Sequence, residues 1–230
     1  MIGFRPLFVI VATLALSGAL QFGALAADTS LDTVFSRMDK AASTFKSMSG
    51  GIKRVTHTEL VNANEVDEGT IKVKRNKPTD VRMLIDFQKA EPKSVFIGNG
   101  KVFIYTPNAK MVQEGDLGKH KNLVNEFLLL GFGSTSTDLK NAYTVTFGGS
   151  EEVDGTAATR IQLIPKSKEI LNHVKKAELW IPENGIPIQQ KFYQSGGDYQ
   201  LCTYSKTVIN PSLSDLKLDV PKGVKTEKLN

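Results

Sequence analysis

The chain has 230 residues, a formal charge of +5 and a single cysteine, Cys202. One cysteine excludes an intramolecular disulfide, so packing alone must hold the fold together. The lysines are scattered through every segment rather than massed in a block, which excludes a nucleic-acid stripe and predicts a generally basic surface.

Residues 1–26 carry the three parts of a secretory signal: Arg5, an apolar run from Leu7 to Leu20, and Ala24-Leu25-Ala26 as a small-residue cleavage site. The run is broken by Ser17 and Gly18 and is shorter than the roughly 20 residues that a membrane span requires. The expectation is an exported chain whose residues 27–230 form one domain, large enough to bury a core without covalent staples.

Leu31, Val34, Phe35, Met38, Ala41, Ala42, Phe45 and Met48 recur at helical spacing, with Asp32, Arg37, Asp39 and Lys40 largely off the stripe. They predict an amphipathic helix over 30–48, capped by Ser30 and stopped by Gly50-Gly51. Hairpin signals follow at Glu68-Gly69, Asn99-Gly100, Asp154-Gly155, Asn184-Gly185 and Gly196-Gly197. They punctuate predicted strands at 52–61, 69–77, 80–88, 94–97, 101–105, 111–113, 143–148, 158–164, 175–181, 187–193 and 199–209, which read as an antiparallel meander. In the third, Val81, Met83, Ile85 and Phe87 alternate onto one apolar face. Between 119 and 141 the pattern changes: Leu123, Val124, Phe127, Leu128 and Leu130 predict a short, very apolar helix ending at Gly131, with helical turns at 137–141 and 167–173.

No catalytic constellation emerges. His57, His120 and His173 are far apart and none neighbours a metal-ligand cysteine, so no metal site is predicted. Gly131-Phe132-Gly133-Ser134 lacks both the Gly-x-Ser-x-Gly spacing and a Walker lysine, and it reads as a helix stop followed by a flexible turn. Glu151-Glu152 beside Asp154-Gly155 are ordinary solvated acids. One-sided strands without a nucleophile, base or cofactor motif predict a binding surface, not an enzyme.

The order of several motifs resembles the family of the periplasmic lipoprotein carrier LolA and its outer-membrane counterpart LolB. The resemblance rests on Gly69, Lys77-Pro78, Val81-Arg82-Met83, Pro92, Asn99-Gly100-Lys101 and Tyr105-Thr106-Pro107. It continues in Trp180-Ile181-Pro182-Glu183-Asn184-Gly185-Ile186-Pro187, Asn210-Pro211-Ser212-Leu213-Ser214 and Val220-Pro221-Lys222-Gly223-Val224. It implies an α+β fold: a strongly curved, incomplete antiparallel barrel of about 11 strands, with helices covering its concave apolar face.

The implied lipid cavity and lid are lined by Val81, Met83, Ile85, Phe87, Phe103, Tyr105, Leu123, Phe127, Leu128 and Leu130. The family's lid is latched by an arginine before the proline. Lys77 stands at that place and Arg75 two residues earlier on the same strand face, so either is the implied latch. The implied role is a monomeric periplasmic shuttle for acylated lipoproteins, without a cofactor. Its partners would be an inner-membrane ABC-type release complex and an outer-membrane acceptor. A free-lipid binder or an envelope sensor module of the same fold are the alternatives.

Overall fold

The computed structural model describes residues 30–77, 80–116 and 130–229. The secretory segment, Pro78, and the predicted apolar helix with Leu123, Phe127 and Leu128 lie outside these residues. Helix α1, Leu31–Thr44, starts as expected, with Ser30 Oγ accepting the Thr33 N–H at 3.3 Å. It ends short of the two glycines because Asn210 interrupts it. Asn210 Nδ2 donates to the Thr44 carbonyl at 2.9 Å, while its Oδ1 accepts the N–H groups of Lys46 and Ser47 at 2.7 and 3.3 Å. The chain therefore turns at Phe45 into strand β1, Ser47–Thr58, and Met48 falls on the strand instead of the helix. Gly50 and Gly51 serve close strand approach: a Cβ on Gly50 would stand 2.9 Å from the Ser205 carbonyl oxygen.

Five strands follow β1 in sequence and in space: β2 Ala63–Lys77, β3 Asp80–Lys89, β4 Lys93–Gly98, β5 Lys101–Thr106 and β6 Met111–Asp116. After helix α2, Ser136–Ala142, a second run comprises β7 Tyr143–Val153, β8 Thr156–Pro165, β9 Lys176–Ile181, β10 Gln189–Tyr193 and β11 Tyr199–Ile209, with the short helix α3, Lys168–Leu171, between β8 and β9. The sheet is thus two antiparallel meanders, joined where β1 pairs with β11. A twelfth strand, β12 Lys225–Lys228, lies parallel to β6 at the outer edge. Its four residues are all charged or polar and exposed, which is why no strand is predicted there.

Of the hairpin signals, Asn99-Gly100 (φ 56° and 75°) and Asp154-Gly155 (47° and 77°) form the paired positive-φ turns that two-residue hairpins require. Glu68-Gly69 does not turn the chain. It sits inside β2 at a bulge, where a Cβ on Gly69 would lie 2.0 Å from the Asp86 carbonyl oxygen. The reversal comes earlier, at the 3₁₀ turn Glu59–Val61 and Asn62 (φ 46°). The outer strands β7 and β12 do not pair with each other. In place of the strongly curved, incomplete barrel of about 11 strands that the resemblance implies, the described residues form an open twelve-stranded sheet that is not strongly curled.

Most of the buried apolar residues collect on one face. Val34, Phe35 and Met38 of α1 pack with Ile161, Leu163, Leu179 and Ile181 on the second meander. Phe45, with Ala41 against it, joins Met48, Ile52, Ile71, Val73, Met83 and Phe87 on the first. The other face of the first meander is crossed by the tail: Lys74 Nζ donates to the carbonyls of Leu213 and Ser214, Arg82 pairs with Asp215 at 2.7 Å, and Leu216 is buried.

These contacts set two expected outcomes. Asn210→Ala removes three hydrogen bonds and places a Cβ-strained residue at φ 58°. It is expected to lower stability by about 2 kcal/mol in urea denaturation with an unchanged m-value. An unchanged midpoint would show that Asn210 does not set the entry into β1. At the far end of the β1–β2 hairpin, the His57 ring hydrogen-bonds Asn64 and the Glu59 carboxylate at 2.8 and 3.0 Å. Both contacts, Asn64 first, raise its pKa above 6.5. The stabilisation is then complete below pH 6.5 and is lost as pH rises through the raised value. His57→Gln should flatten that pH dependence, and an identical profile in the variant would exclude His57 as its source.

Candidate functional site

Cross-strand register defines which side chains share the apolar inner face. Met83 pairs with Ile97 and Ile97 with Val102, while Ile85 pairs with Val95 and Val95 with Ile104. The same face runs through Ile71 and Val73 of β2, Ile52 and Arg54 of β1, Cys202 and Tyr204 of β11, and Gln190 and Phe192 of β10. Among the described residues, helix α1 covers the junction of the two meanders and leaves part of this face open.

The segment from Leu130 to Ser136 is fastened onto the face by groups from three elements. Gln190 Nε2 donates to the Leu130 carbonyl, and Gln190 Oε1 accepts the Tyr204 hydroxyl at 2.8 Å. Phe132 is fully buried, with its ring edge-on to Tyr204 at 5.0 Å. Arg75 Nη2 donates to the Gly133 carbonyl at 2.5 Å, and its guanidinium lies 5.4 Å from the centre of the Phe45 ring. Asp39 of α1 accepts the Ser136 N–H and hydroxyl at 2.6 and 2.7 Å, and Thr135 and Asp138 form a capping box that starts α2. Burial lowers the Arg75 pKa, and its Nε is buried without a hydrogen-bond partner among the described residues. This arginine is held in place at a cost that its single strong hydrogen bond must offset.

Beside this segment lies a half-open hollow of about 250 Å³. Its wall is Ile52, Ile71, Met83, Ile85, Phe87, Phe192, Cys202 and Tyr204, with Arg54, Gln190, Gln194 and Gln200 as its polar members. Arg54 is bound to the buried Asp67 at 2.5 Å, and Lys93 stands 3.2 Å from the other oxygen of that carboxylate. Burial pushes the Cys202 thiol up to about 11 and the Tyr204 hydroxyl well above its usual value. Neither is a nucleophile at neutral pH. The wall of the hollow is mostly apolar, and its charged member, Arg54, is held in the ion pair with Asp67.

Of the residues assigned from the sequence, Met83, Ile85 and Phe87 line the hollow, and Val81 packs half-buried on the adjoining core. Phe103 pairs with Phe96, and Tyr105 with Ser94, so both lie on the opposite face of the sheet. Their strand is apolar on both sides, and alternation alone gives no sign of which side is inward. Leu130 is core, 1% exposed. Arg75 reaches the anchored segment, whereas Lys77 is exposed and pairs with Asp80 beyond a β-bulge. Gly131-Phe132-Gly133-Ser134 is firmly held where a flexible turn was expected. The signal missed was Phe132 itself, a large apolar residue between two glycines at positive φ. Asp39, Arg54, Asp67 and Gln190 carry no local sequence signature: Asp39 and Gln190 have partners distant in the chain, and Arg54 meets Asp67 only through the register of the β1–β2 hairpin.

No family model and no curated protein matches the sequence. Solved structures do match. An uncharacterized conserved protein from Thermus thermophilus is similar over 86% of this chain and 98% of its own, with TM-score 0.50 and 12% identity. MucB is similar at TM-score 0.49 and 15% identity over 81% of this chain, which spans 62% of the MucB chain. A LolA superfamily protein from Nitrosomonas europaea is similar at TM-score 0.36 and 12% identity, over 81% and 94% of the two chains. At these identities the likeness is one of fold.

The anchored segment yields a two-sided prediction. Arg75→Met should speed amide exchange around residues 132–136 at least tenfold, since a charge-assisted hydrogen bond is worth about 1.5–3 kcal/mol. Lys77→Ala should leave exchange there unchanged. Equal effects of the two substitutions would remove Arg75 as the specific anchor.

Proposed function

We propose that the protein is an exported, periplasmic carrier that shields the acyl chains of lipoproteins on the inner face of its sheet. The observation that carries this reading is the half-open apolar hollow beside a segment fastened by Arg75. The ordered motifs that resemble the LolA and LolB family support it. In this reading the acyl chains lie against the apolar face of the open sheet, and the segment from Leu130 to Ser136 acts as a lid released when Arg75 gives up the Gly133 carbonyl.

The energetics of such a carrier are nearly balanced. Each methylene withdrawn from water is worth about 0.8 kcal/mol, so a chain of roughly 16 carbons gains on the order of 10 kcal/mol. The donor membrane offers the same, so transfer into the protein has almost no net drive. Loading therefore falls to an energised inner-membrane release complex, and unloading to an outer-membrane acceptor that binds more tightly. The carrier needs no cofactor, and opening exchanges segment-to-sheet contacts for lipid-to-sheet contacts.

A second reading, a free-lipid binder, is favoured by one quantity. The hollow of about 250 Å³ falls below the roughly 300–1,000 Å³ of drug-sized ligand sites and far from room for several acyl chains without rearrangement. The deciding experiment adds the purified protein to inner-membrane vesicles carrying a labelled triacylated lipoprotein, their native transporter and ATP. A soluble lipoprotein complex that requires both protein and ATP is the expected result. No release beside a working control would remove the lipoprotein reading, and co-purified lipid would then establish the second. Ile85→Asp, at a half-buried position of the wall, should reduce capture at least tenfold with an unchanged circular dichroism spectrum.

A further inference from the structure

More positive charge stands beside one end of the hollow than a single ion pair uses: Arg54 is in the wall, and Lys93, outside the lining, stands against the same carboxylate and the same ring. Arg54 lines the hollow, and its Nε and Nη2 both donate to one oxygen of Asp67, at 3.1 and 2.5 Å. Lys93 Nζ is 3.2 Å from the other oxygen, which accepts no hydrogen bond among the described residues. The Arg54 guanidinium and the Lys93 ammonium also stand over the same ring, Phe87, at 4.5 and 5.6 Å from its centre. Phe87 is itself part of the wall.

The balance of charge is uneven. Asp67 is 1% exposed and the two cations 23% each, so a single buried carboxylate faces two largely covered positive charges. Glu65, the other acid near Lys93, is 3.8 Å away and mostly in water, where its compensation is screened. A purely structural clasp between β1 and β2 would need only one cation, and leaving a second partly desolvated is costly unless something else offsets it. From Phe87 the apolar wall continues through Ile85, Met83 and Ile71, so the excess charge sits at the head of an apolar track.

We infer that the hollow takes a single-chain fatty carboxylate, with its head at Arg54 and Lys93 and its chain along Ile71, Met83 and Ile85. The carboxylate completes the charge balance begun by Asp67, and Arg54 Nη1, which the two bonds to Asp67 leave over, is the directed donor to it. The inference rests on the lipid-binding reading of the hollow, and it names the class of chain that the described cavity is built to receive. One chain also suits the volume: a cavity of about 150 Å³ accepts benzene, so about 250 Å³ accommodates part of one alkyl chain and not a bundle of three.

The test compares heads at constant tail. Laurate, dodecanol and dodecyltrimethylammonium, each below its aggregation limit, are titrated into the protein as it is exported, by displacement of a fluorescent alkyl probe. Laurate is expected to bind at least tenfold more tightly than dodecanol, and the ammonium amphiphile most weakly. Because Arg54→Gln alone would strand Asp67, the paired variant Arg54→Gln/Asp67→Asn removes the ion pair as a unit, and Lys93→Met removes the second cation separately. Lys93→Met, which removes the surplus charge, should bring laurate to within threefold of dodecanol, whereas the paired variant, which removes one charge of each sign, should keep a larger preference for laurate than Lys93→Met does; the reverse order overturns the inference. Equal binding of laurate and dodecanol to the wild type, or preference for the ammonium head, overturns the inference and leaves an apolar cavity without head-group selection. Failure of all three amphiphiles to bind overturns the lipid reading itself.

Discussion

Coverage of the apolar face is the constraint from which the rest of the structure follows. Twelve strands at about 4.8 Å spacing make a sheet roughly 50 Å wide. The fourteen residues of α1 make a rod of about 21 Å. A single such helix can roof the junction of the two meanders and little more. It is placed there, with Met38 on one core and Phe45 on the other. Among the described residues, the cover beyond α1 comes from the non-helical segment at 130–135, which cannot satisfy its own backbone. Gln190 and Arg75 each reach out of a regular element to take one carbonyl between Leu130 and Ser136, and Asp39 takes both the N–H and the hydroxyl of Ser136. The hollow lies between these fastenings.

The opposite face of the first meander is treated differently. There the chain supplies its own cover, a tail fixed at three places: Ser47 Oγ to the Pro211 carbonyl, Lys74 to the Leu213 carbonyl, and Arg82 to Asp215. The tail then runs on to lie beside β6 as β12, whose lysines and glutamate put charge on an edge that would otherwise invite another strand. A permanent strap on one side and a polar-anchored, partly open cover on the other give the sheet one inert face and one receptive face.

Local grammar was legible and distant pairing was not. Ser30, the helical stripe of α1, the Asn99-Gly100 and Asp154-Gly155 turns and the alternation of β3 all act within a few residues, where propensity and periodicity decide. Gly50, Gly51 and Gly69 resemble stops and turns, yet each answers to a neighbouring strand that the sequence cannot display. Asn210 is the sharpest case. As a turn-forming residue ahead of a proline it looks like tail punctuation, but its side chain ends a helix at Thr44, 166 residues upstream. Within the site, Met83, Ile85 and Phe87 were readable because one strand alternates cleanly. Phe103 and Tyr105 were not, since register, set by β4, determines their face. Arg54, Asp67 and Lys93 are ordinary surface residues in one dimension and a charge cluster only in three.

The seam between β1 and β11 also fixes when the molecule can come into being. Ser47 and Pro211, bonded across that seam, are 164 residues apart in the chain. At translation rates of about 5–20 residues per second, the first meander waits roughly ten to thirty seconds for the strand that completes it. Throughout that interval β1 has a bare edge and half of the core has no roof partner. A chain timed in this way cannot complete its sheet until it is almost fully made.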